Sequence, residues 1–485
     1  MQVKMQYIIS NSRARIDFHL ILILFTRILI RKDMMPPFTI LKNVAAGPAN
    51  ADDDFVPGSW TYKNIYSMAA GFQHGVFDKD RPVSLCLCTT DRGKIAAALL
   101  AALTRPATLI LPYSYEKSVL ARIRQEHGFS KAVTDAPEEL PPEVEAVSPV
   151  PPSVGHTTFD ASLIREPGEV FVKLFTGGST AAPRTWSKTI GNLFFEAIYH
   201  AQKMQVTQQD RFVATVPPCH IYGLLFSVLT PLVAGAGVVE GVPTYPNEIR
   251  AAIEKHRATY LVSIPLHYRM AAGMDLPASS LAVALCSAAR LEPGDSRAFY
   301  EKTGLGITEI YGSTETGGIA SRVCTTVQPH FTPFDCIQWK QTDGCLAISS
   351  NFISPELPVD ADNFFVTSDR IRVVGPNAFS LEGRADRIVK VGGKRVDLDE
   401  IRAVLLEMPE VSDAAVLSVA DNGSRGNEIR ALAAAQTSLS QIRRHLTDRL
   451  PGYALPRKIR LTDQIPVSPA GKYDSTQIRK LLDAE

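Results

Sequence analysis

Apolar runs of strand length alternate with amphipathic segments of helix length early in the chain. The segments "VSLCLC", "KIAAALLAAL", "ATLILP" and "SVLARIRQEHG" follow one another between residues 83 and 128. A short apolar run predicts a buried strand, and a longer segment with helical periodicity predicts a helix that covers it. This order indicates βαβ units and therefore an α/β fold.

A proline-rich acidic stretch, "DAPEELPPEVEAVSPVPPSVG", follows from Asp135 to Gly155. Proline fixes the backbone and lacks the amide hydrogen that helices and sheets use. We therefore expect an irregular surface connection here, between two subdomains.

Composition bounds the class of protein. The 485 residues carry a formal net charge of +1, with 45% hydrophobic and 21% charged residues, which is typical of a soluble chain of more than one domain. No charge imbalance indicates a nucleic-acid partner. The seven cysteines include no C-x-x-C pair. They indicate a reducing, cytoplasmic compartment rather than disulfides or a zinc site.

The N-terminal segment "FHLILILFTRILI" is apolar but is interrupted by Arg27. It is too short to span a bilayer, so we do not expect stable membrane insertion. Met34 and Met35 follow it as alternative starts. We interpret residues 1–34 as an upstream extension or a disordered segment.

The loop "LFTGGSTAAPRTWSKT", residues 174–189, follows an apolar run. Backbone amides freed by glycines, hydroxyl groups and one arginine together form a cradle for anionic oxygens, and phosphate is the natural ligand. The spacing is not that of a P-loop. A plain turn is the alternative interpretation of this loop on its own.

The loop resembles the signature of the adenylate-forming superfamily, [YF]-T-S-G-[ST]-T-G-x-P-K-G. This superfamily contains acyl- and aryl-CoA synthetases and adenylation domains. The chain departs from the signature at Gly177, Ala181, Arg184 and Thr185. The resemblance implies that the ATP phosphates are bound by the following residues: Thr176, Gly178, Ser179, Thr180 and Arg184.

Two further segments carry the resemblance. "VPPCHIYG" is similar to P-x-x-H-x-x-G, which implies that His220 lies beside the carboxylate of the acyl substrate. "EIYGSTETGG" is similar to Y-G-x-T-E. It implies that Tyr311 covers the adenine and that Gly312 lets the nucleotide approach the backbone closely. It also implies that Thr314 donates a hydrogen bond to a phosphate and that Glu315 binds Mg²⁺.

The segment "CSAARLEPG" resembles the one that lines the adenine and acyl pockets. The resemblance assigns Ser287 and Ala288 to these pockets, although glycine is common in the family at the position of Ala288.

The longest match combines "FVTSDR" with "GRADRIVKVGGKRVDLDEI". It implies that Asp369 and Arg384 bind the ribose hydroxyls, with Ser368 in place of the usual glycine. Gly393 would lie beside the pantetheine of the thiol substrate. The C-terminal "PVSPAGKYD" resembles P-x-[ST]-x-x-G-K and implies that Lys472 is the lysine that bridges the carboxylate and the α-phosphate.

The family architecture implied is a large N-terminal domain, residues 35–385, of α/β subdomains plus a small β-barrel. A smaller mobile α+β C-terminal domain, residues 386–485, follows. The segment "EIRAVLLEMPEVSDAAVLSV" itself predicts a helix and then a strand, in agreement with an α+β domain.

Three hypotheses for function follow. The first is a ligase that activates an aryl or fatty carboxylic acid with ATP and Mg²⁺ and transfers it to CoA. The second is a stand-alone adenylation enzyme that loads the phosphopantetheine of an acyl carrier protein. The third is a non-catalytic nucleotide-binding relative, suggested by the departures in the phosphate loop. The third hypothesis is disfavoured because the chain retains the residues of the motifs that carry catalysis and nucleotide binding: Glu315, Asp369, Arg384 and Lys472.

Overall fold

The computed structural model describes residues 35–47, 50–148, 158–176, 183–271, 280–391, 394–420, 427–468 and 471–483. Residues 1–34 therefore lie outside the described part. The described chain begins with a helix, a two-stranded hairpin and a second helix. These are Pro37–Ala46 (α1), Asp54–Val56 (β1), Trp60–Thr61 (β2) and Tyr62–Gly75 (α2).

The first large sheet contains the predicted βαβ units. Its elements are Val83–Cys88 (β3), Arg92–Thr104 (α3), Ala107–Ile110 (β4), Lys117–His127 (α4), Lys131–Thr134 (β5), Glu145–Ala146 (β6), Val170–Thr176 (β7) and Arg184–Thr189 (β8). The strand order is β6-β5-β3-β4-β7-β8, parallel except for the antiparallel pair β7 and β8. Asp91 caps α3 by accepting from two backbone amides, and the alanine-rich α3 is buried along its whole length.

One expectation for this region is corrected. The proline-rich stretch is not wholly irregular, because Pro137–Glu139 forms a 3₁₀ turn and β6 pairs in parallel with β5. Leu140 and Val144 explain the order, since both are buried in a hydrophobic cluster with Phe129. Residues 149–157 lie outside the described residues.

The second large sheet carries most of the candidate site. Its elements are Glu196–Lys203 (α5), Arg211–Ala214 (β9), Ile221–Leu224 (α6), Thr230–Ala234 (α7), Gly237–Val238 (β10), Pro246–His256 (α8), Tyr260–Ser263 (β11), Pro265–Ala271 (α9), Val283–Cys286 (β12), Pro293–Thr303 (α10), Ile307–Ser313 (β13), Gly317–Cys324 (β14) and Thr332–Pro333 (β15). The order is β10-β9-β11-β12-β13-β14-β15. The strands from β10 to β13 are parallel, and β14 and β15 are added antiparallel.

Two helices contain π-helical segments. Gly191–Phe195 leads directly into α5, and Leu225–Leu229 joins α6 to α7 as one continuous helix. Both segments belong to the main hydrophobic cluster. Single π turns inside α-helices are often found next to functional sites, and both segments here neighbour candidate site residues.

The remaining elements form smaller sheets. Gln338–Thr342 (β16), Cys345–Ser349 (β17), Phe365–Val373 (β18) and Phe379–Arg384 (β19) form an antiparallel four-stranded sheet. After it come Ile388–Val391 (β20), Lys394–Asp397 (β21), Leu398–Leu406 (α11), Val411–Ala420 (β22), Asn427–Ala435 (β23), Leu439–Thr447 (α12), Lys458–Thr462 (β24) and Ser475–Asp483 (α13). The helix and strand predicted from "EIRAVLLEMPEVSDAAVLSV" are thus α11 and β22.

The predicted α/β class is confirmed. One hydrophobic cluster is built only from residues between Val391 and Ile459, apart from the clusters of the preceding chain. Among the described residues, no helix has both the length and the apolarity needed to cross a bilayer.

Candidate active site

Tyr311 near the end of β13, Asp369 in the middle of β18 and Arg384 at the end of β19 lie next to one another. The Tyr311 hydroxyl donates a hydrogen bond of 2.5 Å to Asp369 Oδ2, and Arg384 Nη1 donates to Asp369 Oδ1 at 3.2 Å. Asp369 and Arg384 are also paired in the register of their sheet. The residues implied for adenine and ribose are therefore direct neighbours.

Asp369 and Arg384, the charged residues beside Tyr311, each interact with more than one partner. Burial raises the pKa of the Asp369 carboxyl, while the Tyr311 hydroxyl and the charge of Arg384 oppose that rise. Arg384 also donates Nε and Nη2 to Asp386 at 2.9 and 2.6 Å. Two carboxylates thus fix the plane of the Arg384 guanidinium.

Glu315 lies on the tight turn between β13 and β14. A Cβ atom on Gly312 would lie 2.3 Å from the carbonyl oxygen of Gly317, so only glycine fits there. Ser313 and Thr316 lock the turn, because each backbone amide donates to the other's hydroxyl group. Glu315 is therefore presented from a defined backbone.

The Glu315 side chain fits a metal ligand. Among the described residues, its carboxylate makes neither a hydrogen bond nor an ion pair, and it remains half-buried beside the charges of Lys188 and Lys472. One carboxylate with open oxygens suits Mg²⁺ that reaches a protein together with phosphates and water. No group of three or more potential metal ligands occurs within the described ranges.

Lys472 reaches the same place from a turn near the C-terminus. Its backbone amide donates to Ser468 Oγ, and its carbonyl oxygen accepts from the Ser468 amide at 2.7 Å. Gly471 has φ of 74°, and a Cβ atom there would lie 2.5 Å from Ile264 Cδ1. The turn can therefore rest directly against the end of β11.

Charges surround the Lys472 ammonium group. Desolvation lowers the pKa of Lys472, Glu315 raises it, and Arg384 lowers it further. Lys472 in turn contributes to the low pKa of His220. Lys472 as a whole residue is exposed, and its ammonium group is coupled electrostatically to Glu315, Arg384 and His220.

An ion-pair network supports the position of the Lys472 turn. Arg402 on α11 lies 3.6 Å from Glu292 and 3.0 Å from Asp413. It also donates to the hydroxyl of Tyr473, which itself donates to Asp413. The residue next to Lys472 is thereby linked to Glu292, which directly precedes α10 in the preceding part of the chain.

His220 precedes α6 and is largely desolvated. Burial, with a smaller effect from Lys472, lowers its pKa to about 4, so the imidazole is neutral at neutral pH. Gly223 allows the chain to turn closely, since a Cβ atom there would lie 2.1 Å from the carbonyl oxygen of Pro217. The motif P-x-x-H-x-x-G therefore has a steric reason for its glycine.

The ends of the phosphate loop are the last strand residues of β7 and the first of β8. Thr176 accepts a hydrogen bond from Trp186 Nε1 at 3.2 Å, and the exposed Arg184 lies over the Trp186 ring, 4.1 Å from its centroid. Both residues are at the mouth of the hairpin. The predicted ligands Gly178, Ser179 and Thr180 lie outside the described residues, as does Gly393.

Ser287 and Ala288 follow β12. The Ser287 hydroxyl donates to the carbonyl oxygen of Ile310 at 2.8 Å. Ala288 has φ of 77°, a left-handed conformation that carries a strain of roughly 1 kcal/mol for alanine but none for glycine. Thr314, the remaining member of the predicted set, is buried next to Glu315.

Sequence reasoning missed Lys188 and Glu196. Lys188 on β8 is fully buried and donates to the carbonyl oxygen of Glu315 at 3.3 Å, while Glu196 on α5 accepts from the Gly318 amide at 2.7 Å. A signal was present, because both charged residues interrupt the otherwise apolar or uncharged stretch "TWSKTIGNLFFEAI". Buried charges of this kind are often found at functional sites.

Comparison with known proteins agrees with this geometry. The AMP-binding enzyme family matches residues 90–341, and the AMP-binding enzyme C-terminal domain matches residues 400–472. Fold and site together define an adenylate-forming enzyme. The chain belongs to the AMP-binding enzyme family, and the protein is an AMP-forming ligase.

The similar proteins include several ligases. Sulfoacetate–CoA ligase from Cupriavidus necator is 26% identical over 374 residues, which are 71% of this chain and 70% of that protein. Medium-chain fatty-acid–CoA ligase from Escherichia coli is 24% identical over 412 residues, 78% and 70% of the two chains. ATP-bound MatB from Rhodopseudomonas palustris has the same fold, with a TM-score of 0.79 at 17% identity over 91% of this chain and 98% of that one.

Proposed function

We propose that the protein uses MgATP to convert an aromatic or fatty carboxylic acid into an acyl-adenylate, and then transfers the acyl group to the thiol of CoA. The observation that carries this proposal is the contact between the Lys472 turn and the candidate site. Gly471 lies directly against Ile264 at the end of β11, and the charges of Glu315 and Arg384 act on the pKa of the Lys472 ammonium group, although these residues are far apart in the sequence.

The residues divide the work of the first step. We assign stacking on adenine to the ring of Tyr311, and binding of the ribose to Asp369 and Arg384. Lys472 supplies positive charge where the acid's carboxylate meets the α-phosphate, which lowers the barrier by stabilising the charge of the transition state. Glu315 holds Mg²⁺, which neutralises phosphate charge when bound.

His220 does not act as a cation in this step. Its pKa of about 4 leaves the imidazole neutral at neutral pH, so it can orient the acid by a hydrogen bond but cannot compete with Lys472 for its negative charge. We therefore assign carboxylate orientation to His220 and charge stabilisation to Lys472.

The second step requires a thiol to reach the acyl-adenylate. We propose that residues 386–485 form a mobile domain that turns after adenylation, moves Lys472 away and brings Gly393 beside the pantetheine. CoA and the prosthetic group of a carrier protein share pantetheine, so a carrier protein is the alternative acceptor.

The proposal is tested by acid-dependent ATP–pyrophosphate exchange across benzoates, cinnamates and fatty acids. CoA and a holo-acyl carrier protein are then supplied separately, and the thioester is detected by mass spectrometry. We expect exchange with members of one acid class and a thioester mainly with CoA. A thioester formed only on the carrier protein would favour the adenylation alternative.

Lys472→Ala provides the background for this experiment. If no acid in the panel supports exchange above the rate of this variant, the assignment to aromatic or fatty acids is wrong. Exchange with any acid would exclude the third hypothesis, a non-catalytic nucleotide-binding relative.

A further inference from the structure

Two buried charged side chains lie behind the turn that carries Glu315. Lys188 has 0% and Glu196 has 1% of its surface exposed. Placing charges inside a protein is unfavourable unless they are paired or hydrogen-bonded, and apolar residues of similar volume often stabilise a fold as well or better. The presence of both charges at this one place therefore requires an explanation besides packing.

Lys188 binds two backbone carbonyl groups. Its Nζ donates to the carbonyl oxygen of Phe352 at 3.0 Å and to that of Glu315 at 3.3 Å. The Glu315 carbonyl also accepts from the amide of Ser354 at 2.7 Å. The peptide group that follows the Glu315 side chain is thus held by two donors, one of them charged.

Glu196 holds the other end of the same turn. Its Oε1 accepts a hydrogen bond of 2.7 Å from the amide of Gly318. A Cβ atom on Gly317 would lie 2.7 Å from Glu196 Oε2, so the glycine backbone approaches the carboxylate as closely as it can. His200 lies one turn further along the same helix, with Nε2 3.8 Å from Oε1, beyond hydrogen-bond distance.

Together the two side chains act on opposite ends of a four-residue segment. The cation binds the carbonyl group of Glu315, and the anion binds the amide group of Gly318. Charged hydrogen bonds of this kind are shorter and stronger than neutral ones and fix the orientation of the groups they bind. The segment between them includes the residue assigned to Mg²⁺.

We propose that Lys188 and Glu196 are positioning residues that orient the Glu315 carboxylate for the Mg²⁺ of MgATP. The inference rests on the proposed function, since it assumes that Glu315 binds the metal. It adds two residues that touch neither the metal nor the nucleotide and act through the backbone of the turn. Outer partners of this type commonly change metal affinity by about 10- to 100-fold when they are removed.

The test measures ATP binding to the full-length protein by calorimetry, with Mg²⁺ and with EDTA in its place. Lys188→Met and Glu196→Met each remove one hydrogen bond to the turn while keeping a side chain of similar length. We expect the Kd for ATP with Mg²⁺ to rise about 10-fold or more in each variant, and the Kd in EDTA to change less than about 2-fold. Glu196→Gln keeps an oxygen at Oε1 and should restore binding to within about 3-fold of the wild-type value.

Leu193→Ala is the matched control. Leu193 is buried in the π-helical segment before α5 and has no polar atom to bind the turn. Truncation of the Leu193 side chain should lower the melting temperature at least as much as Lys188→Met and Glu196→Met do. It should leave the Mg²⁺ dependence of ATP binding unchanged.

Three results would overturn the proposal. These are equal weakening of ATP binding with and without Mg²⁺, unchanged binding in both methionine variants, and the same Mg²⁺-specific loss in Leu193→Ala. If Lys188→Met does not fold, the proposal is tested by the Mg²⁺-dependent Kd for ATP of Glu196→Met compared with that of Glu196→Gln. Failure of the wild-type protein to show acid-dependent exchange would contradict the proposed function, whereas the binding measurements still decide whether these residues position a metal ligand.

Discussion

Replacing Gly471 by alanine adds one methyl group where the Lys472 turn rests against Ile264. The new Cβ atom would lie 2.5 Å from Ile264 Cδ1 and 3.3 Å from Ile264 Cβ, on a backbone with φ of 74°. The variant therefore introduces two separate penalties, a clash across the contact and a backbone strain within the turn.

The two penalties have different sizes and different consequences. Ile264 Cδ1 is the end of a flexible side chain, so relief of the clash requires an unfavourable rotamer that costs about 0.5–1.5 kcal/mol. That energy corresponds to an approximately 2- to 13-fold loss of adenylation. The left-handed backbone adds roughly 1–2 kcal/mol. This strain persists wherever the turn is placed, so it lowers overall stability.

The assay compares the two half-reactions. Pyrophosphate release should fall in Gly471→Ala, while thioester formation from a supplied acyl-adenylate should change little, because the proposed domain rotation would move the turn away from Ile264 in that step. Ile264→Val removes the clashing atom. The double variant should therefore recover pyrophosphate release but not the melting temperature.

Two outcomes would refute this reasoning. Equal loss of both half-reactions would show that the contact with Ile264 is not specific to adenylation. Failure of Ile264→Val to restore pyrophosphate release would show that the clash is not the cause.

Three further predictions concern other residues of the site. Ala288→Gly should raise the free energy of unfolding by up to about 1 kcal/mol, because it removes left-handed strain; a loss of stability in urea titrations would contradict this. The pKa of His220 is about 4 in the folded protein, so below pH 6.5 the unfolded chain should be protonated at His220 before the folded protein is. The free energy of unfolding should therefore fall by at most about 3 kcal/mol between pH 6.5 and 4. In His220→Asn the free energy of unfolding should depend less steeply on pH in this range. An unchanged pH dependence would show that the pKa of His220 is not lowered by folding. Lys472→Ala should abolish acid-dependent pyrophosphate release yet retain thioester formation from acyl-adenylate, and full turnover would remove its catalytic role.

The hydrophobic pattern of the sequence predicted individual strands and helices of the fold. The run "VSLCLC" and the alanine-rich segment after it became β3 and α3, because burial on both faces requires continuous apolar residues. Asp369 and Arg384, which the motif predicts as a ribose-binding pair, lie on two strands of the same hairpin and are hydrogen-bonded, while ribose binding stays a prediction.

Long-range contacts could not be predicted in this way. Lys188 is an isolated charge in a strand sequence, and nothing near it indicates that a carbonyl group from residue 315 will lie above it after folding. The same holds for Gly471, whose motif gives the glycine but not its contact with Ile264. The left-handed backbone of Ala288 was not predicted either, because alanine rarely adopts it, although the glycine that is common in the family at this position was an indication.

The π-helical segment Leu225–Leu229 limits how the chain length can change. This segment holds one residue more than an α-helical turn of the same height. Deleting this extra residue would let the helix become regular, and the following turn would keep its height and direction. Deleting a residue from the α-helical turns on either side would instead rotate the rest of the helix by about 100° and shift it by about 1.5 Å. Leu232, which is buried in the main cluster, would then leave its contacts, and the spacing from His220 to β10 would be lost. Within residues 221–234, a one-residue deletion is therefore expected to be tolerated only in Leu225–Leu229, while the proline-rich connection after β5 can vary in length.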